Sequence, residues 1–100
     1  MTSYLDHMRQ HARIAILRFL EGAPSYTSNA SMLAGLLPQV GISYTRDQIV
    51  GELTWLEEQG LVSTKTHSDD FVIATATQRG VEVATGVATY PGVQRPRPGS

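Results

Sequence analysis

The sequence predicts an α+β fold in which three helices precede a two-stranded hairpin and a short fourth helix. Apolar residues recur at helical spacing in the first half of the chain, whereas residues 61–66 and 71–76 are rich in β-forming side chains. The four residues between these two segments suit a hairpin turn, and residues 78–85 form the predicted fourth helix. Residues 1–86 are the predicted domain. Residues 87–100 are an extended arm with prolines and arginines, which we expect to be mobile.

The composition is typical of a small globular protein. The chain has 100 residues, of which 41% are hydrophobic, enough for one domain with a modest core. It has no cysteine, which excludes disulfides, thiolate metal sites and thiol catalysis and suits a reducing cytoplasm. No apolar run approaches the roughly 20 residues needed to cross a bilayer, and the N-terminus lacks a secretory pattern. We therefore expect a cytoplasmic protein without a membrane segment.

The first helix is predicted over residues 3–21, and its apolar residues form two patches. The main stripe contains Leu5, Met8, Ala12, Ala15, Ile16 and Phe19. Ile14 and Leu17 fall outside this stripe and lie one turn apart, so they form a second patch. Either the C-terminal segment covers this patch or two copies of the chain associate through it. We expect a homodimer with Ile14 and Leu17 at its interface.

The second helix is predicted to start after Thr27 or Ser28 and to end near residue 38. Its expected buried face contains Met32, Leu33, Leu36 and Leu37. Tyr26 and Thr27 either form a short strand or lead into the cap of this helix. Ile42 and Ser43 are expected to add a short strand beside the hairpin.

The third helix has the clearest start signal in the chain. Thr45 and Gln48 have the spacing of a capping box, so the helix is predicted over residues 46–59, and Gly60 ends it. The side chains expected to face inward are Ile49, Leu53 and Leu56. Those expected to face outward are Asp47, Gly51, Thr54 and Glu58.

The order of helices and hairpin resembles that of the winged helix-turn-helix superfamily. Residues 55–62, Trp-Leu-Glu-Glu-Gln-Gly-Leu-Val, are similar to the junction between the third helix and the hairpin, or wing, of that superfamily. Residues 76–84, Ala-Thr-Gln-Arg-Gly-Val-Glu-Val-Ala, are similar to the segment that follows the wing. The resemblance covers about residues 3–86. It implies that the third helix enters the major groove of DNA and that the wing contacts the backbone or the minor groove.

A narrower resemblance points to a group of small phage proteins. Residues 12–18, 43–48 and 91–96, which read Ala-Arg-Ile-Ala-Ile-Leu-Arg, Ser-Tyr-Thr-Arg-Asp-Gln and Pro-Gly-Val-Gln-Arg-Pro, look like segments of the winged-helix, transcriptional-regulator-like proteins of Mu-like bacteriophages. This resemblance implies a phage product that works in the cytoplasm of a bacterial host. It supplies no mechanism.

The leading functional hypothesis is binding of double-stranded DNA, in phage gene control or another phage DNA transaction. The candidate DNA-contacting residues are Thr45, Arg46 and Thr54 at the groove, Lys65 and His67 on the wing, and Arg95 and Arg97 in the arm. Charge argues against this hypothesis, because the formal net charge is −1 and DNA-binding domains usually carry a basic excess. Asp47 and Glu58 on the third helix, and the Ser68-Asp69-Asp70 wing tip, would be repelled by phosphates.

The alternative hypothesis is an adaptor that binds a phage or host protein through the same helix. Its surface would contain Val50, Gly51, Thr54 and Glu58. A glycine on the exposed face of a helix permits the close approach of a partner, although it can also be a neutral, tolerated residue. Trp55 is either a recognition residue or a packing residue against the wing or the last helix.

The sequence gives no support for an enzyme. It contains no phosphate-binding glycine loop and no nucleophile motif, so we expect no catalytic residues, no cofactor and no small-molecule substrate. His7 and His11 are four residues apart and share a helix face, which is a spacing found in metal sites. Without further ligands nearby, they are interpreted as solvated surface residues, and no metal site is predicted.

Overall fold

The computed structural model describes residues 3–67 and 71–96. Within these ranges the chain is α+β, with four α-helices and a three-stranded antiparallel sheet. The elements are α1 (Tyr4–Glu21), β1 (Thr27–Asn29), α2 (Ala30–Leu36), α3 (Arg46–Glu58), β2 (Val62–His67), β3 (Phe71–Ala76) and α4 (Gln78–Ala84). Short 3₁₀ turns, Pro24–Tyr26 and Leu37–Val40, precede β1 and follow α2. The predicted α+β class is confirmed, and the order of elements is compatible with a winged-helix-like arrangement.

The third strand of the sheet is β1, which lies beside β3 in the order β1-β3-β2. Thr27 pairs with Thr75, and their hydroxyl oxygens are 2.9 Å apart. Because β1 includes residues 27 and 28, neither of them caps α2 as predicted. The cap is Asn29, whose side-chain oxygen accepts a hydrogen bond of 2.9 Å from the Met32 amide.

The prediction that Ile14 and Leu17 form an exposed seam is wrong. Their exposed fractions are 4% and 0%, and both belong to the hydrophobic core. Helix α4 packs against α1 here. The approach is close, since a Cβ atom placed on Gly80 would lie 3.4 Å from Leu17 Cδ2. The second apolar patch of α1 is therefore covered within the chain, so it is unavailable to a second copy.

The buried face of α2 also differs from the prediction. Ala30, Leu33 and, just past the helix, Leu37 are buried, whereas Met32 is 59% exposed. These three buried residues are spaced by three and four positions, as one helix face requires, and residue 32 falls outside that series.

The predicted start of α3 and its termination at Gly60 are confirmed, and the last helical residue, Glu58, is one residue before the predicted end. The backbone amide of Gln48 donates a hydrogen bond to Thr45 Oγ1 (3.1 Å), and the backbone amide of Thr45 donates to the side-chain oxygen Gln48 Oε1 (2.8 Å). At the other end Gly60 has φ +79, a conformation that residues with a Cβ rarely adopt. The Leu61 amide donates to the Leu56 carbonyl at 2.9 Å, which closes the helix and buries Leu61.

Helix α4 is held against the turn between α3 and β2. The Thr77 amide donates to the Leu61 carbonyl (3.0 Å), and the Thr77 hydroxyl donates to the Gly60 carbonyl (2.8 Å). A Cβ on Gly80 would lie only 2.0 Å from the same Leu61 oxygen. Glycine is therefore required at residue 80 by the close approach of two backbones.

Residues 87–96, named here the C-terminal segment, pack on the domain. Val93 is buried, and the Gln94 amide donates to the Gln10 carbonyl of α1 at 3.2 Å. This corrects the expectation of an arm that is free from residue 87 onwards. These contacts join residues that are far apart in the sequence. Because the segment has no apolar periodicity, the sequence did not indicate that it packs on the domain.

Candidate functional site

The exposed face of α3 contains the residues predicted for it. Gly51, Thr54 and Glu58 are exposed, and so is the capping residue Thr45. Thr54 donates its hydroxyl proton to the Val50 carbonyl at 2.9 Å, so its oxygen can still accept a hydrogen bond. The face is open to a macromolecular partner along its whole length.

Arg46 lies at the first turn of α3 beside an acidic neighbour. Its Nη1 atom is 4.0 Å from Asp47 Oδ1, and the Asp47 side chain is 97% exposed. An exposed ion pair at this distance contributes little free energy, so Arg46 can exchange it for another anion.

The hairpin places Lys65 and His67 on its exposed surface, as predicted. Glu57 of α3 is turned toward the hairpin, where its carboxylate accepts bonds from the Thr64 amide (2.9 Å) and hydroxyl (2.8 Å). One of the acidic groups of α3 is therefore engaged by β2 and is directed away from the outer face of the helix.

The structure does not bring Arg95, a further predicted DNA contact, next to α3 and the hairpin. Arg95 is exposed but lies near His11, Ile14 and Val40, on α1 and the turn after α2. The predicted wing tip, residues 68–70, and Arg97 lie outside the described residues.

A buried ion pair between α1 and α3 is the main feature that the sequence analysis missed. Glu52 is 7% exposed, and its Oε1 atom is 2.8 Å from Arg13 Nε. Its other oxygen, Oε2, accepts a hydrogen bond of 3.3 Å from the Tyr44 hydroxyl. Glu52 lies next to the inward-facing Leu53, so its position in the sequence could have indicated that it is buried. Its partners, Arg13 and Tyr44, are set by tertiary packing and could not be predicted in this way.

The environment of Tyr44 raises its pKa above the ordinary value of 10.0. Burial is the largest cause, followed by the charge of Glu52 and the hydrogen bond to it, while Arg9 and Arg13 act in the opposite direction.

Tyr44 is therefore expected to make stability depend on pH in alkaline solution. Above about pH 10 the unfolded chain loses the phenol proton first, so the free energy of unfolding falls as pH rises through the higher pKa of the folded state. Below that pH the contribution is fully present. Urea unfolding at about pH 8 and about pH 11 should show a larger loss for the wild type than for Tyr44→Phe. Equal losses in the two proteins would contradict this assignment.

Arg13 also joins the two helices to the C-terminal segment. Its guanidinium carbon lies 3.8 Å from the ring centroid of Trp55, and its Nη1 donates to the Gly92 carbonyl at 3.0 Å. Tyr90 packs edge-on against Trp55, with centroids 6.2 Å apart, and donates its hydroxyl proton to Gln59 Oε1 at 2.6 Å. Trp55 is thus a packing residue, although its partners are α1 and the C-terminal segment rather than the wing or the last helix.

A cleft of about 350 Å³ opens between α1 and α3 above this ion pair. We name it the α1–α3 cleft; its lining residues are Arg9, Arg13, Tyr44, Gln48, Gly51, Glu52 and Trp55. A Cβ on Gly51 would meet no atom within 4 Å, so the absence of a side chain leaves space there. Within the described residues, the Arg9 side chain forms no ion pair and no hydrogen bond.

The two histidines of α1 line one surface pocket, but they differ in their contacts. His11 holds the C-terminal segment, since its Nδ1 is 2.8 Å from Gln94 Oε1 and its Nε2 is 3.4 Å from the Val40 carbonyl oxygen. His7 lies at the surface near Tyr4 and Met8. In the described part of the chain, no cluster of three or more acidic, histidine or cysteine side chains could hold a metal ion. No helix between residues 3 and 96, outside the gap at 68–70, has the length and apolar character of a membrane span.

Comparison with known proteins identifies relatives of nearly full length. No family profile matches the chain. It is 38% identical over 93 residues to a protein named uncharacterized protein gp26 of Escherichia phage Mu, covering 93% of this chain and 95% of that protein. It is 34% identical over 83 residues to an uncharacterized protein of Haemophilus influenzae, covering 83% of this chain and 80% of that protein. The relatives therefore establish ancestry without indicating an activity.

Proposed function

The chain belongs to the family of gp26 of Escherichia phage Mu, and from this premise we propose that it is a non-enzymatic, winged helix-turn-helix protein that binds double-stranded DNA. Its place of action is the bacterial cytoplasm, in phage gene control or another phage DNA transaction. The observation that carries the proposal is the continuous exposed surface of α3, with Thr45 and Arg46 at its start, joined through Gly60 to a hairpin that exposes Lys65 and His67.

The charge distribution is compatible with weak DNA binding. Glu57 is engaged by β2, and Asp47 holds Arg46 only at 4.0 Å, so the two basic side chains Arg46 and Lys65 are available to phosphates. Each phosphate contact adds about −0.9 to the slope of log affinity against log salt, so two contacts give a modest, salt-sensitive affinity.

Dimerisation would double the number of phosphate contacts, and we propose that the protein acts as a homodimer. Winged-helix and related proteins often place two recognition helices on two half-sites. The interface has to involve residues other than Ile14 and Leu17, since these two are in the core of one chain. The oligomeric state is measured by sedimentation velocity in the buffers used for DNA binding.

The test of DNA binding is the fluorescence anisotropy of a labelled mixed-sequence duplex at several salt concentrations. The double variant Arg46→Ala/Lys65→Ala is expected to bind more weakly and to reduce the salt slope by about 2, because two phosphate contacts are lost. The control is Arg18→Ala/Arg79→Ala, which removes the same charge from α1 and α4 and should leave the slope unchanged. Thermal unfolding of each variant confirms that it is folded.

A duplex affinity that is the same in the wild type and in both variants would contradict the proposed contacts. Absence of binding at low salt would contradict general DNA affinity, because weak electrostatic contacts are strongest there.

The second candidate function is a protein adaptor. It is favoured by the acidic outer face of α3, where Asp47 and Glu58 are exposed on either side of Gly51 and Thr54. The face of this adaptor contains Val50, Gly51, Thr54 and Glu58, and it becomes the leading proposal if the duplex is not bound at low salt.

A further inference from the structure

We propose that the α1–α3 cleft binds an acidic peptide segment of a partner protein. A carboxylate of the segment is held by Arg9 and Gln48, and an adjacent apolar side chain lies over Gly51 against Trp55. The proposal goes beyond DNA binding, because the cleft is on the flank of α3 that faces α1. By helical spacing, Arg46 and Val50 lie on the opposite flank.

Two hydrogen-bond donors of the cleft are available for a carboxylate. The Arg9 guanidinium has no ion pair or hydrogen bond within the described residues. Gln48 uses its Oε1 atom to accept the Thr45 amide, which fixes the side chain and leaves its amide nitrogen free to donate. A guanidinium and a preorganised amide suit a charged oxygen acceptor.

The other charged groups of the cleft are already satisfied. Glu52 uses one oxygen for Arg13 and the other for Tyr44, and Arg13 also contacts Gly92 and the ring of Trp55. Two arginines and one carboxylate line the cleft, so it carries one net positive charge, at Arg9. This matches a single carboxylate on an incoming chain.

The dimensions of the cleft favour a peptide over a DNA backbone. From Gln48 to Trp55 the α3 wall rises by about 10 Å, which accommodates about three residues of extended chain. The space above Gly51 lets a peptide approach the helix backbone closely. A duplex carries one charge per about 1.7 Å of its axis, a density that one arginine beside the buried Glu52 does not match.

Trp55 makes the test site-specific, because it is the only tryptophan of the chain. The ¹⁵N-labelled full chain is titrated with the blocked tripeptide acetyl-Leu-Asp-Leu-amide, while NMR follows the Trp55 indole N–H and the Gln48 side-chain amide. Saturable shifts of both signals are expected in the millimolar range. The peptide acetyl-Leu-Asn-Leu-amide, which lacks the charge, should bind about tenfold more weakly.

Two variants and one control separate binding from folding. Arg9→Gln should abolish the preference for the aspartate peptide, whereas Lys65→Gln, which removes an equal charge from β2, should preserve it. Gly51→Leu should fill the cleft and prevent binding by either peptide, while the open space at this position keeps the chain folded.

Three outcomes would overturn the proposal: no saturable shift, equal binding of the two peptides by the wild type, or an unchanged preference in Arg9→Gln. Inorganic phosphate and a short DNA duplex are titrated in parallel. If they shift Trp55 and Gln48 and the aspartate peptide does not, the cleft is a phosphate site and the peptide assignment is wrong.

Discussion

Gly80→Ala is expected to destabilise the fold by about 3 kcal/mol, a large part of the total stability of a domain of this size. The added Cβ would lie 2.0 Å from the carbonyl oxygen of Leu61. That oxygen cannot simply move, because it accepts the Thr77 amide at 3.0 Å and belongs to the turn that ends α3. Helix α4 would have to separate from this turn, and Leu17 of α1 would lose part of its cover.

The matched control for this prediction is Gly51→Ala, the same substitution in the middle of another helix. A Cβ at residue 51 meets no atom within 4 Å, so the only effect is that of helix propensity, a gain of about 1 kcal/mol. Urea unfolding followed by circular dichroism gives both free energies. If the two alanine variants changed stability in the same direction, the close packing of α4 on the Leu61 turn would be refuted.

Glu52→Gln is the second change with a large expected effect, a loss of about 3 kcal/mol. The glutamine keeps the shape of the side chain but leaves the guanidinium of Arg13 in a largely buried position without its counter-charge. Because Arg13 also binds the Gly92 carbonyl and the Trp55 ring, the packing of the C-terminal segment should loosen as well. Urea unfolding measures the loss, and the fluorescence of Trp55 reports the loosening.

A double variant shows whether the cost comes from the unpaired charge. Replacing both partners, as in Arg13→Met/Glu52→Leu, removes the buried charges together and should recover much of the stability lost in the single variant. The contrary result is a double variant whose free energy of unfolding is lower than that of Glu52→Gln by the full cost of a second core mutation. In that case the ion pair stabilises the fold through its packing contacts and not through charge compensation.

The features that were predicted correctly from the sequence depend on residues close together in the chain. The capping box of Thr45 and Gln48, the Gly60 stop and the hairpin that follows are each specified within a few residues. The exposed face of α3 follows from helical spacing once its ends are fixed.

The features that were missed depend on contacts between distant segments. A helical wheel of α1 shows the second patch of Ile14 and Leu17 but cannot show that α4 lies over it. Likewise, a short strand such as β1 is stabilised by its pairing with β3, about 45 residues later in the chain, more than by its own composition. The pairing of Arg13 with Glu52, on which the α1–α3 cleft is built, needs the two helices to be positioned first.

The contact between Glu57 and Thr64 has a consequence for how this protein behaves at high concentration. Strand β2 is at the border of the sheet, where unpaired backbone groups can template the addition of a strand from another molecule. The Glu57 carboxylate occupies the Thr64 amide and places a negative charge along that border. An acidic residue that is directed away from the outer face of α3 thereby protects the hairpin against intermolecular β-pairing and aggregation.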